Sequence, residues 1–244
     1  MQLGVKAAVL EHLRASPPGK LLDFPAGTGW LWQELRGDGW DYYGADLFTR
    51  PEIPNFTAAD LNGLFPYLDE HFDYVTCLEG IEHVENYHHL LRQCRRVLKP
   101  GGTLLISTPN PLNIKSRRRY YWSATFYGFP HLVEIPAEGQ HIHVTPINLS
   151  FLLTFARKSG LDFQELHRLP IKWAVLRYLP QALAIAAYSY LKNRKAPAEQ
   201  RTWMQRLASK SVLLSDGILV SFKKPLVTHA DLCRRRSQLK FELQ

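Results

Sequence analysis

One repeating unit limits this chain's fold more than any other feature: a short apolar run, a turn, then a helix-like stretch. "KLLDF" (20–24) leads into the Gly-containing turn "PAGTG" and then "WLWQELRG", which stops at Gly37. "DYYGADL" (41–47) and "FDYVTCL" (72–78) read as the second and fourth strands, and "NFTAADLN" (55–62) as a weaker third. "NYHHLLRQCRRVLK" has helical periodicity and is ended by "PGG", and "GTLLISTP" (102–109) is a fifth strand. Strands alternating with helices predict an α/β fold with a doubly wound parallel sheet covered on both faces. Ligands in such sheets sit outside the carboxyl ends of the strands. With 244 residues, 45% hydrophobic and 21% charged, the chain holds one full core plus an elaboration.

The second half is less regular. Residues 110–145 carry the aromatic, basic stretch "RRRYYWSATFYGFPH" and read as an insertion covering a substrate. "TPINLSFLLTFARKSG" (145–160) predicts a helix capped by Thr145 with a Pro next, "LDFQELHRL" (161–169) a sixth strand, and "DGILVSFKKP" (216–225) a seventh. The expected organisation is a main domain of residues 1–169 with 216–225, a basic helical insertion over 170–215, and a tail over 226–244.

Charge is unevenly placed. Residues 1–169 hold 16 Lys/Arg and 18 Asp/Glu, whereas residues 170–244 hold 14 and 4. Such asymmetry points to an anionic partner, a nucleic acid or an acidic membrane surface. Within the insertion, "IKWAVLRYLPQALAIAAYSYLK" is apolar around most of its circumference, with Lys172, Arg177, Gln181 and Lys192 on a narrow polar stripe and Pro180 expected to kink it. "RTWMQRLASKSVLL" repeats the pattern. Two helices lying on the inner face of an anionic membrane fit this better than a spanning helix, and packing on the protein itself is the competing reading. Cys77, Cys94 and Cys233 have no paired or metal-like spacing, which suits a reducing, cytoplasmic compartment, and "MQLGVKAAVLEHLRAS" lacks the apolar core of a signal peptide.

Gly27 and Gly29 follow the first strand, where a backbone can approach a ligand at a helix start. Asp46 ends the next strand about twenty residues on, placed to accept ribose hydroxyls. Asp60, ending the third strand, and Leu61 offer an acceptor and a wall for an adenine. A dinucleotide fold would want a third glycine where Trp32 stands. As a set, "LLDFPAGTGWL", "YYGADL", "AADLN", "FDYVTCLEGIEHVEN" and "LLRQCRRVLKPGGTLLISTPNP" resemble the seven-stranded, Rossmann-like S-adenosylmethionine-dependent methyltransferases. The resemblance covers residues 20–169 and the seventh strand. It implies that Pro25, Ala26, Gly27, Gly29, Asp46, Asp60, Leu61 and Leu78 line the cofactor. Pro25 and Ala26 depart from the family's usual Gly or Cys in the first loop.

"CLEGIEHVEN" (77–86) places Glu79, Glu82 and His83 at the exit of the fourth strand. A helix beginning near Glu79 would bring all three onto one face. Three readings stand open: charges favouring a helix N-terminus, His83 as a metal-free general base, or a divalent metal that orients and deprotonates an acceptor hydroxyl. Glu-x-x-Glu-His after this strand resembles two metal-using O-methyltransferase groups, one methylating ubiquinone precursors and the other the terminal ribose of small RNAs. The second group completes its site with a downstream histidine. "GQHIHVTP" offers His141 and His143, with His143 the better match, giving a metal set of Glu79, Glu82, His83 and His143 for Mg²⁺ or Mn²⁺, with Zn²⁺ also suited to imidazole.

The stretch 108–147 further resembles enzymes of polysaccharide and lipopolysaccharide biosynthesis. Tyr120, Tyr121, Trp122 and Tyr127 suit stacking on sugar rings, and Lys115, Arg117, Arg118 and Arg119 suit a phosphate or diphosphate; the aromatics equally suit a small core of their own. The expected activity is O-methylation of a glycan or lipid-linked envelope intermediate. A quinone or other small-molecule acceptor is the alternative, and an RNA 2′-hydroxyl ranks below both.

Overall fold

In a computed structural model, which describes residues 3–129, 142–171 and 173–226, the apolar runs assemble into one seven-stranded sheet. Helix α1 (Leu3–Arg14) precedes β1 (Lys20–Asp23), α2 (Trp30–Leu35), β2 (Asp41–Asp46), β3 (Phe56–Ala58) and β4 (Phe72–Leu78). After a 3₁₀ turn at Ile81–His83 come α3 (Tyr87–Val97), β5 (Leu98–Pro109), α4 (Ile114–Ser123), α5 (Leu149–Lys158) and β6 (Asp162–Leu166). A second 3₁₀ segment, Trp173–Tyr178, leads to α6 (Leu179–Asn193), α7 (Ala198–Leu207), α8 (Lys210–Leu214) and β7 (Gly217–Lys223).

The strand order is β3-β2-β1-β4-β5-β7-β6. Strands β1 to β5 pair in parallel, with Leu22 opposite Tyr43 on one side and Val75 on the other. The sheet is mixed rather than wholly parallel: β7 inserts antiparallel to both β5 and β6, with Ile106 opposite Val220. Side chains alternate across it with period two. Leu22, Leu104, Ile106 and Val220 face one core with Leu90, Leu91 and Cys94 of α3 and Leu152 of α5. Leu21, Leu105 and Leu219 face the other, with Val9 and Leu13 of α1 and Leu31 and Leu35 of α2. Both faces are buried, which is why these strands read as continuous apolar runs.

Several sequence expectations shift. The third strand is only three residues long, so Asp60 lies two residues past its end. Strand β5 begins at Leu98 and takes in "KPGG". Helix α5 is capped by Asn148, whose side chain accepts from Ser150 N, while the Thr145 hydroxyl donates instead to the Val84 carbonyl. Pro180 does not kink a helix; it sits in the first turn of α6, where its missing N–H has no partner to lose. The stripe from Lys172 to Lys192 therefore does not run along one helix, and Lys172 itself lies outside the described residues. So do His141, Cys233 and the tail from 227.

Candidate functional site

The C-terminal ends of β1, β2 and β4 open onto a cleft of about 410 Å³. Its floor is the turn after β1. Gly27 has φ +53°, a left-handed conformation costly for other residues, and a side chain there would meet no atom of the described residues within 4 Å. The space beside it is open to a ligand. Gly29, at φ +73°, faces Ile53 and Pro51 instead and does not line the cleft, so its requirement is packing at the start of α2. Pro25, Ala26, Gly27, Asp46, Asp60, Leu61 and Leu78 all line it. Pro25 also lies against Gly80, where any side chain would collide with its ring, so the turn after β1 and the loop after β4 are fitted to each other.

Asp46 is buried and its carboxylate is already well used. One oxygen accepts from Gly27 N (2.9 Å), the other from Phe48 N (2.9 Å) and Thr49 N (2.8 Å). A carboxylate has about four acceptor sites, so capacity remains for a ligand hydroxyl. Asp60 is exposed at the mouth and accepts from Asn62 N. One charged lining residue had no signal in the sequence. Lys6 comes from α1, its ammonium 4.7 Å from the ring of Trp30, and among the described lining residues it is the one Lys or Arg.

Glu79, at the tip of β4, has φ +52°, rare for a residue with a β-carbon. The chain reverses there instead of starting a helix; α3 begins at Tyr87, capped by the Asn86 side chain. The expected single face therefore does not form. Glu79 Oε1 accepts from Ser107 Oγ (2.9 Å) and lines the cleft, and burial raises its pKa, opposed by the Ser107 hydrogen bond.

Glu82, on the 3₁₀ turn, goes the other way. It is 0% exposed, and neither carboxylate oxygen has a hydrogen-bond partner among the described residues. Burial first, and the nearby Glu79 charge second, push its pKa up to about 8; the Thr108 hydroxyl opposes this without reaching good hydrogen-bond geometry. This is not a solvated helix start, and the helix-terminus reading of Glu79 and Glu82 fails. His143 Nε2 lies 4.0 Å from Glu82 Oε1, and the His143 and His83 rings are 4.7 Å apart. His143 Nδ1 is buried without a bond of good geometry, and burial lowers its pKa, opposed by the Gly128 backbone. The segment is held by main chain: Val144 N and Thr145 N both donate to the Glu82 carbonyl. His83 Nδ1 lies 2.9 Å from the Ile142 carbonyl, which can only accept, so Nδ1 carries the hydrogen and a neutral ring has its lone pair on Nε2.

Ligand atoms of Glu82, His83 and His143 all fall within 4.8 Å of one another. Glu79 is not in that group, which holds three of the four residues of the expected set. His83 belongs both to the cluster and to the wall of the cleft.

A family model described as a methyltransferase domain matches residues 4–165, most of the chain and all of this site. The chain belongs to the class I S-adenosylmethionine-dependent methyltransferases. The ubiquinone biosynthesis O-methyltransferase of Pseudomonas syringae pv. tomato is 30% identical over 169 residues, covering 63% of this chain and 69% of that one. Its namesake in Aliivibrio fischeri is 29% identical over 166 residues, covering 63% and 68%. Among solved structures, an S-adenosylmethionine-dependent methyltransferase from Mesorhizobium loti superposes with a TM-score of 0.51 at 17% identity, covering 88% of this chain and 97% of that one. One from Archaeoglobus fulgidus gives 0.52 at 17%, covering 90% and 93%. Those two likenesses concern the fold. This methyltransferase has a seven-stranded sheet, with a helical unit, α6 to α8, between β6 and β7.

Proposed function

We propose that this methyltransferase transfers a methyl group from S-adenosylmethionine to a hydroxyl on an apolar ring acceptor of the quinone-precursor type, with a divalent cation held by Glu82, His83 and His143. The observation that carries the reading is His83's double membership, in the cofactor cleft and in the buried cluster. An acceptor oxygen at the cluster is thereby next to the cleft that holds the donor.

The residues fit a cation. Among the described residues, two carboxylate oxygens and an imidazole nitrogen are buried without hydrogen bonds of good geometry, a costly arrangement unless the groups are neutral or ligated. A mixed imidazole and carboxylate set suits Mn²⁺ or Zn²⁺ better than Mg²⁺. The cation, when bound, supplies a Lewis-acid contact that lowers the pKa of a bound hydroxyl; the cofactor supplies a methyl carbon already activated by its sulfonium. The chain's own residues do the rest. Asp46 and Asp60 accept from the donor's polar groups, Lys6 offers a charge to its carboxylate, and Pro25 against Gly80 fixes the distance between the two loops. Glu79, held by Ser107, shapes the wall between donor and acceptor. The Nδ1 bond of His83 orients its ring, which also supports a second reading in which His83 alone takes the acceptor proton.

A glycan or lipid-linked acceptor with a diphosphate has less support. Lys115 is paired with Asp216 at 3.1 Å, Arg117 donates to the Leu112 carbonyl and Arg119 to Thr125, so the expected clamp is largely engaged within the protein. The relatives' names point to the quinone type.

Incubation with methyl-labelled S-adenosylmethionine and two acceptors, an alkylated catechol and a lipid-linked sugar diphosphate, tests the proposal. Label on the catechol hydroxyl is expected. Label on the sugar alone returns the glycan reading, and label on neither by a protein that binds the cofactor contradicts both.

A further inference from the structure

Among the described residues, the unit between β6 and β7 leaves a large apolar surface exposed. On α6, Ala182 is buried and Ile185 turns inward, against Val175, Leu213, Leu214 and Ile114 of α4. The opposite side of the same helix carries Leu183, Ala184, Ala187, Tyr188 and Leu191, all exposed. Their offsets of one, four, five and eight from Leu183 place them on one outward stripe. An ordinary surface helix would be polar there. Beside the stripe, α4 presents Tyr121 and Trp122, the latter 80% exposed, and a shallow apolar groove of about 530 Å³ joins the two helices. Trp173, just upstream of α6, is 87% exposed.

The rim of this surface is cationic. Arg117 and Arg118 of α4 line the groove, Arg119 follows them and the helix carries no acid, whereas Lys115 is paired with Asp216 at 3.1 Å. Around the stripe, Arg118 and Arg177 lie 5.6 and 4.9 Å from the Tyr178 ring and Lys192 lies 5.5 Å from the Tyr188 ring, while the one acid of residues 170–215, Glu199, is paired with Arg157 at 3.1 Å.

We propose that this face docks on an anionic lipid bilayer. Charge complementarity selects the occupant: an apolar centre, exposed Trp and Tyr, and a ring of cations match the headgroup region of an acidic membrane. A second copy of the chain would bring two cationic rims together, which opposes self-association. With 15 residues, α6 is about 22 Å long, short of the roughly 30 Å of a bilayer core. Among the described residues no helix is long and apolar enough to cross a membrane, so the helix lies along the surface. The chain reaches α4 directly from the C-terminal end of β5, which pairs in parallel with β4 at Leu78 and Ser107, so the docking face and the site share one end of the sheet. Resting on the proposed acceptor, a membrane-held lipid with a ring hydroxyl would then meet the site without leaving the bilayer.

The test uses the full chain and vesicle flotation, with no acceptor or activity involved, so its failure leaves the methyl-transfer reading intact. Vesicles of phosphatidylcholine with about a third phosphatidylglycerol should bind at least about tenfold more protein than phosphatidylcholine alone, and raised salt should weaken binding. Leu183→Glu with Leu191→Glu should abolish flotation, and Lys192→Glu with Arg194→Glu should reduce it to the neutral-vesicle level. Both pairs are solvent-facing and should bind S-adenosylmethionine as the parent does, showing that they fold. Equal binding to neutral and anionic vesicles, or binding to neither, overturns the proposal. So does a parent dimer that Leu183→Glu with Leu191→Glu converts to monomer, or vesicle binding that survives both pairs.

Discussion

Glu82 Oε1 and His143 Nε2 face each other across 4.0 Å, and the same Glu82 anchors the His143 segment through its own carbonyl, which accepts from Val144 N and Thr145 N. One residue thus fixes both the carboxylate and the imidazole it faces. A side chain at 82 can be altered without releasing the segment, because the anchoring bonds are main chain.

Glu79 and Glu82 should separate experimentally. Glu79→Gln should leave Mn²⁺ affinity within about twofold, because Glu79 stands outside the cluster, whereas Glu82→Gln should abolish it, since a neutral amide is a poor ligand for such a cation. Glu79→Gly should raise thermal stability, on the order of 1 kcal/mol, by relieving φ +52°. Calorimetric titration and thermal melts of both variants check this. Lost cation binding in Glu79→Gln would restore the four-residue set.

Asp46→Ala should damage the cofactor site twice. It removes an acceptor for the ligand and leaves the N–H groups of Gly27, Phe48 and Thr49 without their partner. Cofactor affinity should fall by roughly 1.5–3 kcal/mol, about the value of one hydrogen bond to a charged group, with a measurable loss of stability besides. Unchanged affinity in a folded variant would remove Asp46 from the site.

Lys6→Ala should weaken S-adenosylmethionine about tenfold or less while leaving adenosine binding nearly unchanged, because only the former carries a carboxylate for the ammonium. Lys6→Arg should restore most of the loss. Equal losses for both ligands would mean that Lys6 acts only by packing on Trp30, 4.7 Å away.

Stability should depend on pH through Asp23. Its buried carboxyl accepts from the Tyr42 and Thr76 hydroxyls at 2.7 Å each, yet burial dominates and raises its pKa from 3.8 to about 6. Below pH 4 the group is protonated in both states and there is no penalty. Between pH 4 and 6 the unfolded chain has lost the proton while the folded one keeps it, so stability falls as pH rises and levels off above 6. The shift corresponds to on the order of 3 kcal/mol. Asp23→Asn, which cannot ionise, should gain on the parent as pH rises from 4 to 7 in denaturant melts. A constant difference across that range would show that the carboxyl is not shifted.

How far the chain could be read in advance follows from what each residue type signals. Strand β4 was legible to the residue because it is buried on both sides and framed by polar neighbours. Strand β3 was overread, since "NFTAADLN" looks extended but pairs over only three residues. The turn at Glu79 was illegible: a left-handed glutamate has no residue-type mark, and assuming helical offsets put three side chains on a face that does not exist. Pro180 looked like a kink because the uninterrupted apolar run hid the boundary between the 3₁₀ segment and α6. His143 came only from the family resemblance, since the insertion after β5 that contains it carries no periodic signal. Lys6 had no signal, because only the assembled sheet brings α1 beside the turn after β1.

The central claim is tested most directly by counting Mn²⁺ bound to chelator-treated protein, by electron paramagnetic resonance of the free ion. The parent should take up one Mn²⁺ per chain, Glu82→Gln and His143→Ala none, and all three should still bind S-adenosylmethionine through contacts that lie elsewhere in the cleft. A parent that binds no divalent cation, or variants that bind it as the parent does, would contradict the cation site and leave His83 as the sole candidate base.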